Sequence, residues 1–286
     1  MSNPATPDPA LRARPGTAAP SALGRLGRLG ERVQANAREA MITASFIGEV
    51  LLATARLLRG KSGMRWGDLL RQVDQTGPLS LPIVALTCFL VGLMLAYMGG
   101  AQLDKMGALT FIADIVTVGM VRELAGLMTG MILAGRVGAS FAAQLATMQA
   151  GEEIDALRVL GVNPIDHLVL PRLLALVLVA PIIMAYASLV GVLAGLVPAT
   201  LVYGVPAAEY LHRSLQALTW THLWIGVFKC TLYAALLSLA GCREGLHAGR
   251  DAQAVGLATT SGVVKGLVWI IAAACITTVA LQALGF

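Results

Sequence analysis

From Pro78 to Leu103 the sequence reads PLSLPIVALTCFLVGLMLAYMGGAQL, without one charged residue. A helix rises about 1.5 Å per residue, so about 20 apolar residues cross the roughly 30 Å hydrocarbon core of a bilayer. This run therefore reads as a membrane span. Further apolar segments occupy about 110–148, 168–202, 220–240 and 263–284. A helix satisfies its backbone polar groups within its own segment, as the bilayer interior requires, so the expected fold is an all-α integral membrane protein with five transmembrane helices. Composition agrees: 13% of the 286 residues are charged, against about 25% in soluble domains.

The net charge of +5 is concentrated at one end: Arg12, Arg14, Arg25, Arg28, Arg32, Arg38, Arg56, Arg59, Lys61, Arg65 and Arg71 all precede the first clear span. That distribution is a positive-inside signal. Nucleic acid is not indicated, because basic residues interleaved with base-stacking aromatics are missing. The opening residues lack the apolar core of a signal peptide, and the N-terminus is expected to stay cytoplasmic. Five crossings then place the loops at 149–167 and 242–260 inside and the C-terminus outside. Arg158, Arg172, Arg243, Arg250 and Lys265 add to the inside charge, whereas Lys105 and Arg213 fall outside.

Residues 1–30, with Pro4, Pro7, Pro9, Pro15 and Pro20 and little to bury, are expected to form a disordered tail. Over 31–59, Val33, Ala37, Ala40, Met41, Ala44, Ile47, Leu51, Ala55 and Leu58 recur at helical spacing. An amphipathic helix lying along the membrane surface, followed by a linker to residue 72, is the expectation for 31–72. The transmembrane domain follows over 73–286. Residues 204–219 read as a short helix outside the membrane, and Cys88, Cys230, Cys242 and Cys275 read as small core residues.

Two features of the second span carry chemistry. Gly126, Gly130, Ala134, Gly138, Ala142 and Ala146 form a ridge at spacing four, which lets helix backbones approach closely in lipid. Packing within one chain and a seam between two copies both fit that ridge. Arg122 and Glu123 lie near the middle of the span, where an ionised side chain costs about 2.5–3.5 kcal/mol on insertion scales. A cavity, a neighbouring helix or a second subunit must offset that cost.

The stretch GEEIDALRVLGVNPIDHLVLPR at 151–172 gathers seven ionisable side chains between two apolar runs. A helix over 152–160 puts Ile154, Ala156, Leu157, Leu160 and Gly161 on one apolar arc, with Glu152, Asp155 and Arg158 mostly on the other side. Acids open that helix and Arg158 closes it, as the helix dipole prefers; Gly161 is a stop signal. Asn163 can cap the next helix with Pro164 at its first position. Glu153 projects into the apolar arc, which suits a helix entering a protein groove with a basic lining.

The region RELAGLMTGMILAGRVGASFAAQLATMQAGEEIDALRVLGVNPIDHLVLPRLLA, together with AGRDAQAVGLATTSGVV, resembles the MlaE (YrbE-type) permease family, membrane subunits of ABC transporters that move lipids with MCE-domain partners. The resemblance covers about residues 60–286. It implies a multi-pass protein of the bacterial inner membrane and a homodimer carrying membrane lipid. Two cytoplasmic ATPase subunits would hold the ATP and Mg2+, this chain binding no cofactor or metal itself. A periplasmic ring of MCE domains and a STAS-domain accessory protein are the other implied partners. By the same resemblance Glu152, Glu153, Ile154, Asp155, Ala156, Leu157, Arg158 and Leu160 match the coupling helix. Arg122 and Glu123 match an intramembrane pair, and Leu95 and Leu103 fall where the family lines its lipid cavity. Two positions depart from the pattern: Ala125 and Gly126 replace Gly-Pro, implying a less kinked helix beside the pair, and Gln144 stands where an acid is common.

Other function classes fit less well. The segment ARLLRGKS at 55–62 has Ala55 where a phosphate-binding loop needs glycine, and it lies on an apparent helix rather than after a strand. His167, His212, His222 and His247 fall near span ends or in loops, with no nucleophile–base pair and no zinc motif. An ion-coupled secondary transporter or a channel for an amphipathic substrate is the remaining alternative, since midplane charges can bind an ion or a proton.

Overall fold

The computed structural model describes residues 22–60 and 64–285, and their side chains from 34 on except 35 and 36. Among these residues every regular element is helical, so the chain is an all-α integral membrane protein. It divides into two units within the first helix, one up to Phe46 and one from Ile47 onward.

Helix α1 spans Ala22–Leu58. It thus begins before the residue 31 start expected from the sequence; residues 1–21, most of the expected tail, lie outside the described residues. Beyond Phe46 it is apolar on two faces, with Val50 and Ala53 buried and Leu51, Leu52 and Leu58 exposed. Its part Ala37–Leu58 is consequently long and apolar enough to cross a bilayer. Helix α2 (Trp66–Thr76) occupies the expected linker, burying Leu69 and Thr76. A 3-10 turn at Pro78–Ser80 joins it to α3, Leu81–Lys105.

The expected second span is three helices, α4 (Ile112–Gly119), α5 (Ala125–Leu133) and α6 (Ala139–Ala150), joined through π turns at Met120–Leu124 and Ala134–Gly138. Helix α7 is Glu153–Val159, and a third π turn at Ile165–Val169 leads into α8, Leu170–Leu201. Pro171 sits at the start of α8, where its missing N–H costs nothing, while Pro181 and Pro198 lie inside a helix that continues past both. The last elements are α9 (Ala207–Ala217), α10 (Trp220–Leu246) and α11 (Ala252–Ala283). The polar loop expected over 242–260 shrinks to the few residues between α10 and α11.

Small residues explain how these helices assemble. A Cβ added to Gly92 of α3 would lie 2.1 Å from the carbonyl oxygen of Gly191 in α8, so the two backbones touch. Gly241 in α10 approaches the Gly138 carbonyl to 2.8 Å by the same measure, and Gly262 of α11 faces Gly241. Close glycine crossings of this kind replace the hydrophobic drive that lipid does not supply. Cys88, Cys230 and Cys242 are buried in the bundle, but Cys275 is exposed, because its face of α11 turns outward; it is not the core residue the sequence suggests.

Candidate functional site

The π turn Met120–Leu124 carries Arg122 and Glu123. A single extra residue in a helical turn redirects side chains, and such bulges recur at functional sites. The irregularity expected to be lost with the Gly-Pro pair is therefore present without proline. Glu123 is held by three partners. Arg122 Nε lies 3.6 Å from its Oε1, Lys229 of α10 donates from Nζ to the same oxygen, and the Thr278 hydroxyl of α11 donates to Oε2 at 3.2 Å. Lys229 also donates to Thr278 Oγ1 at 2.9 Å, closing a ring across three helical segments. Lys229 is only 1% exposed, whereas the Glu123 side chain is 36% exposed. The charge beside Glu123 thus comes from a neighbouring helix as well as from Arg122. Lys229 is the one charged residue between Trp220 and Ala240, but nothing in the pattern gives it a partner; neither it nor Thr278 emerges from sequence.

Leu95, half-buried on α3, reaches toward Gly119, one residue before the π turn, where an added Cβ would meet its Cδ2 at 3.2 Å. Leu103 is half-buried near the end of α3, about two turns further along that helix. Leu95 is thus near the charged turn, and Leu103 is placed apart.

The small ridge is buried throughout: Gly126, Gly130, Ala134, Gly138, Ala142 and Ala146 all face protein. Gly126 meets Cys230 and Gly226, Gly130 meets Tyr233, and Gly138 meets Leu237, all on α10. The ridge is therefore a packing face against α10 within one chain.

Helix α7 is entered through Glu152, its N-cap and the only non-glycine residue with positive φ (59°) among those described. Left-handed backbone costs about 1 kcal/mol or more for a side-chain-bearing residue. It ends in a Schellman pair: Gly161 N–H donates to the Arg158 carbonyl at 3.0 Å and Val162 N–H to that of Leu157 at 2.9 Å, with Gly161 at φ 76°, where only glycine avoids strain. The Asn163 side chain then accepts from Ile165 N–H at 2.9 Å, the N-cap its sequence position suggests.

The exposure pattern on α7 differs from the expected apolar arc. Ile154 is fully buried and Leu157 half-buried, anchoring the helix to the bundle. Glu153, Ala156 and Leu160 stand outward, joined by Val159, which the sequence arc omits; Val159 is 88% and Leu160 76% exposed. Two of the acids are engaged by the chain itself. Arg250, in the α10–α11 connection, lies 2.8 Å from Asp155 and 3.5 Å from Glu152, and Arg158 pairs with Asp155 at 3.1 Å. Just beyond α7, Asp166 accepts from Arg56 of α1 at 2.7 Å.

Arg136, in the π turn Ala134–Gly138, donates to Ser80 Oγ. Gln144 accepts from Arg172 Nη2 at 3.2 Å, so the pair joins a cation to a neutral amide. Among the described residues no group of three or more His, Cys, Asp or Glu side chains can hold a metal.

The family model described as Permease MlaE matches residues 69–280. A probable ABC transporter permease protein of Rickettsia typhi is 35% identical over 203 residues, covering 71% of this chain and 78% of the relative. Another of Synechocystis sp. is 34% identical over 231 residues, 79% of this chain and 85% of the relative. The Arabidopsis thaliana protein named trigalactosyldiacylglycerol 1, chloroplastic, is 34% identical over 223 residues, 78% of this chain and 62% of its own length.

Proposed function

Because the chain belongs to the MlaE permease family, we propose that it is the membrane subunit of an ABC transporter moving phospholipid or a related lipid. The transfer runs between the bacterial inner membrane and a periplasmic ring of MCE-domain proteins. Two copies form the permease, and separate cytoplasmic ATPase subunits bind ATP and Mg2+ and supply the energy; a STAS-domain protein accompanies them. The N-terminus lies in the cytoplasm and the C-terminus in the periplasm. The name of the Arabidopsis relative is that of a glycolipid, which supports a lipid cargo.

The observation that carries this reading is the outer face of α7. Val159 and Leu160 stand almost bare on a short helix, with Glu153 beside them and Ile154 anchoring the other side. An apolar pair on an exposed loop helix marks an interaction surface, and the ATPase is its partner. Movement of α7 has a route inward. Arg250 ties α7 to the connection entering α11, and α11 carries Thr278 to the Glu123–Lys229 ring. ATP-driven closure of the ATPase pair shifts α7, α11 follows, and the ring at the π turn rearranges beside Leu95. The α3, α4–α6 and α11 segments then reshape an apolar cavity at the dimer axis.

An ion-coupled carrier fits the ring less well, since Arg122 and Lys229 both lie against Glu123 and leave no surplus negative charge for a cation. Co-purification tests the reading. Leu160→Glu is expected to lose the co-expressed ATPase subunit while the permease remains folded; full retention of the ATPase would contradict the role of α7.

A further inference from the structure

Arg172 is 6% exposed, and every partner it has is neutral. Its Nη1 donates to the Leu168 carbonyl at 3.1 Å and its Nη2 to Gln144 Oε1 at 3.2 Å. The guanidinium also lies 5.8 Å from the centre of the Phe141 ring. Among the described residues no carboxylate forms an ion pair with it, and its Nε–H is buried without an acceptor. A buried cation lacking a counter-charge is costly unless an anion reaches it.

An anion has room to do so. Arg172 lines a cleft of about 230 Å³ between α2, the end of α6 and the start of α8, together with Arg71, Gln72, His167 and Asp68. Two arginines thus face a single carboxylate. Gln72 also lines an adjoining cleft of about 110 Å³ that contains Arg136. The Gln72 Oε1 is buried without a donor, and turning the amide would present two N–H groups instead. Planar guanidinium groups recognise phosphate through paired N–H donors, and basic pockets between membrane helices suit anionic headgroups.

We propose that this cleft binds a phosphate-bearing anion between Arg172, whose buried charge no carboxylate offsets, and Arg71. The anion is either the phosphodiester of an acidic membrane lipid or free phosphate. The site shares no residue with the Glu123–Lys229 ring or with α7, and it stands whether or not the transport reading holds.

Full-length protein in phosphatidylcholine nanodiscs tests it in two arms, one doped with phosphatidylglycerol and one titrated with inorganic phosphate. The readouts are the unfolding midpoint and the anion retained in native mass spectrometry. Gln144→Glu supplies an internal carboxylate beside the guanidinium, and Arg71→Gln removes an exposed arginine; folding of each is checked by size exclusion and circular dichroism. Wild type is expected to gain several degrees with the anion, as a ligand of the native state must provide. Each variant should bind at least about tenfold more weakly, the scale of one lost charge-assisted hydrogen bond. A response to phosphatidylglycerol alone identifies a headgroup, and a response to phosphate alone identifies the free ion; either supports the site. Wild type that responds to neither overturns it. So does a folded Arg71→Gln that responds like wild type, even if Gln144→Glu fails to fold.

Discussion

Lys229 of α10 donates its Nζ to Glu123 Oε1 across 106 residues of sequence, and the lysine is 1% exposed. Their bond joins α10 to the π turn that interrupts the second apolar segment. Thr278 of α11 bonds both partners, so three segments meet at one carboxylate.

Glu123→Gln leaves the buried Lys229 without its counter-charge and is expected to destabilise the bundle by about 3 kcal/mol, the low end for breaking a buried ion pair because the carboxylate side is partly exposed. Lys229→Met leaves Glu123 with Arg122 and Thr278 and should cost less. The double variant should cost clearly less than the sum. Denaturant unfolding in detergent micelles checks this, and additive losses would mean that the two charges do not interact. Neutralising Arg122 and Glu123 together is expected to impair lipid transport more than assembly of the complex, measured by transport assay and co-purification.

Arg250 offers a different test because its pairs are solvent-exposed, with 63% of its side chain accessible. Exposed ion pairs contribute about 0–1 kcal/mol, so Arg250→Glu should hardly change stability. It should nevertheless uncouple ATP hydrolysis from lipid movement, and Asp155→Arg in the same chain should restore part of that coupling. Lipid moved per ATP is the measurement, and unchanged coupling in Arg250→Glu would remove the α7–α11 link from the mechanism.

Gly92→Ala probes the α3–α8 crossing. The added methyl would sit 2.1 Å from the Gly191 carbonyl oxygen, so one helix must shift, at about 1–3 kcal/mol for overpacking. A lowered unfolding midpoint is expected, whereas Gly48→Ala, with nothing near its Cβ position, should leave the midpoint nearly unchanged.

Sequence made the apolar helices legible because length and lack of charge suffice in lipid. It also showed the stop at Gly161 and the cap at Asn163, since both rest on local backbone chemistry. The π turns were not legible: one extra residue in a turn leaves the apolar pattern of 110–148 intact. Lys229, Thr278 and Arg250 escaped for another reason, namely that their meaning lies in partners far away in the chain. On α7, periodicity groups residues on a face without saying which flank is covered: Ile154 of the apolar arc is buried, while Val159 joins Leu160 on the exposed side. The shortened α10–α11 loop shows the same limit: Gly241 against Gly138 and Gly245 against Ala142 and Leu145 carry α10 on through residues that look polar enough for a loop.

The most direct measurement of the central claim is lipid transfer by the purified permease in liposomes, with and without its ATPase subunits, at saturating ATP. Net transfer against a lipid gradient is expected only when the ATPase is present and hydrolysing. Uphill transfer by the permease alone would contradict it.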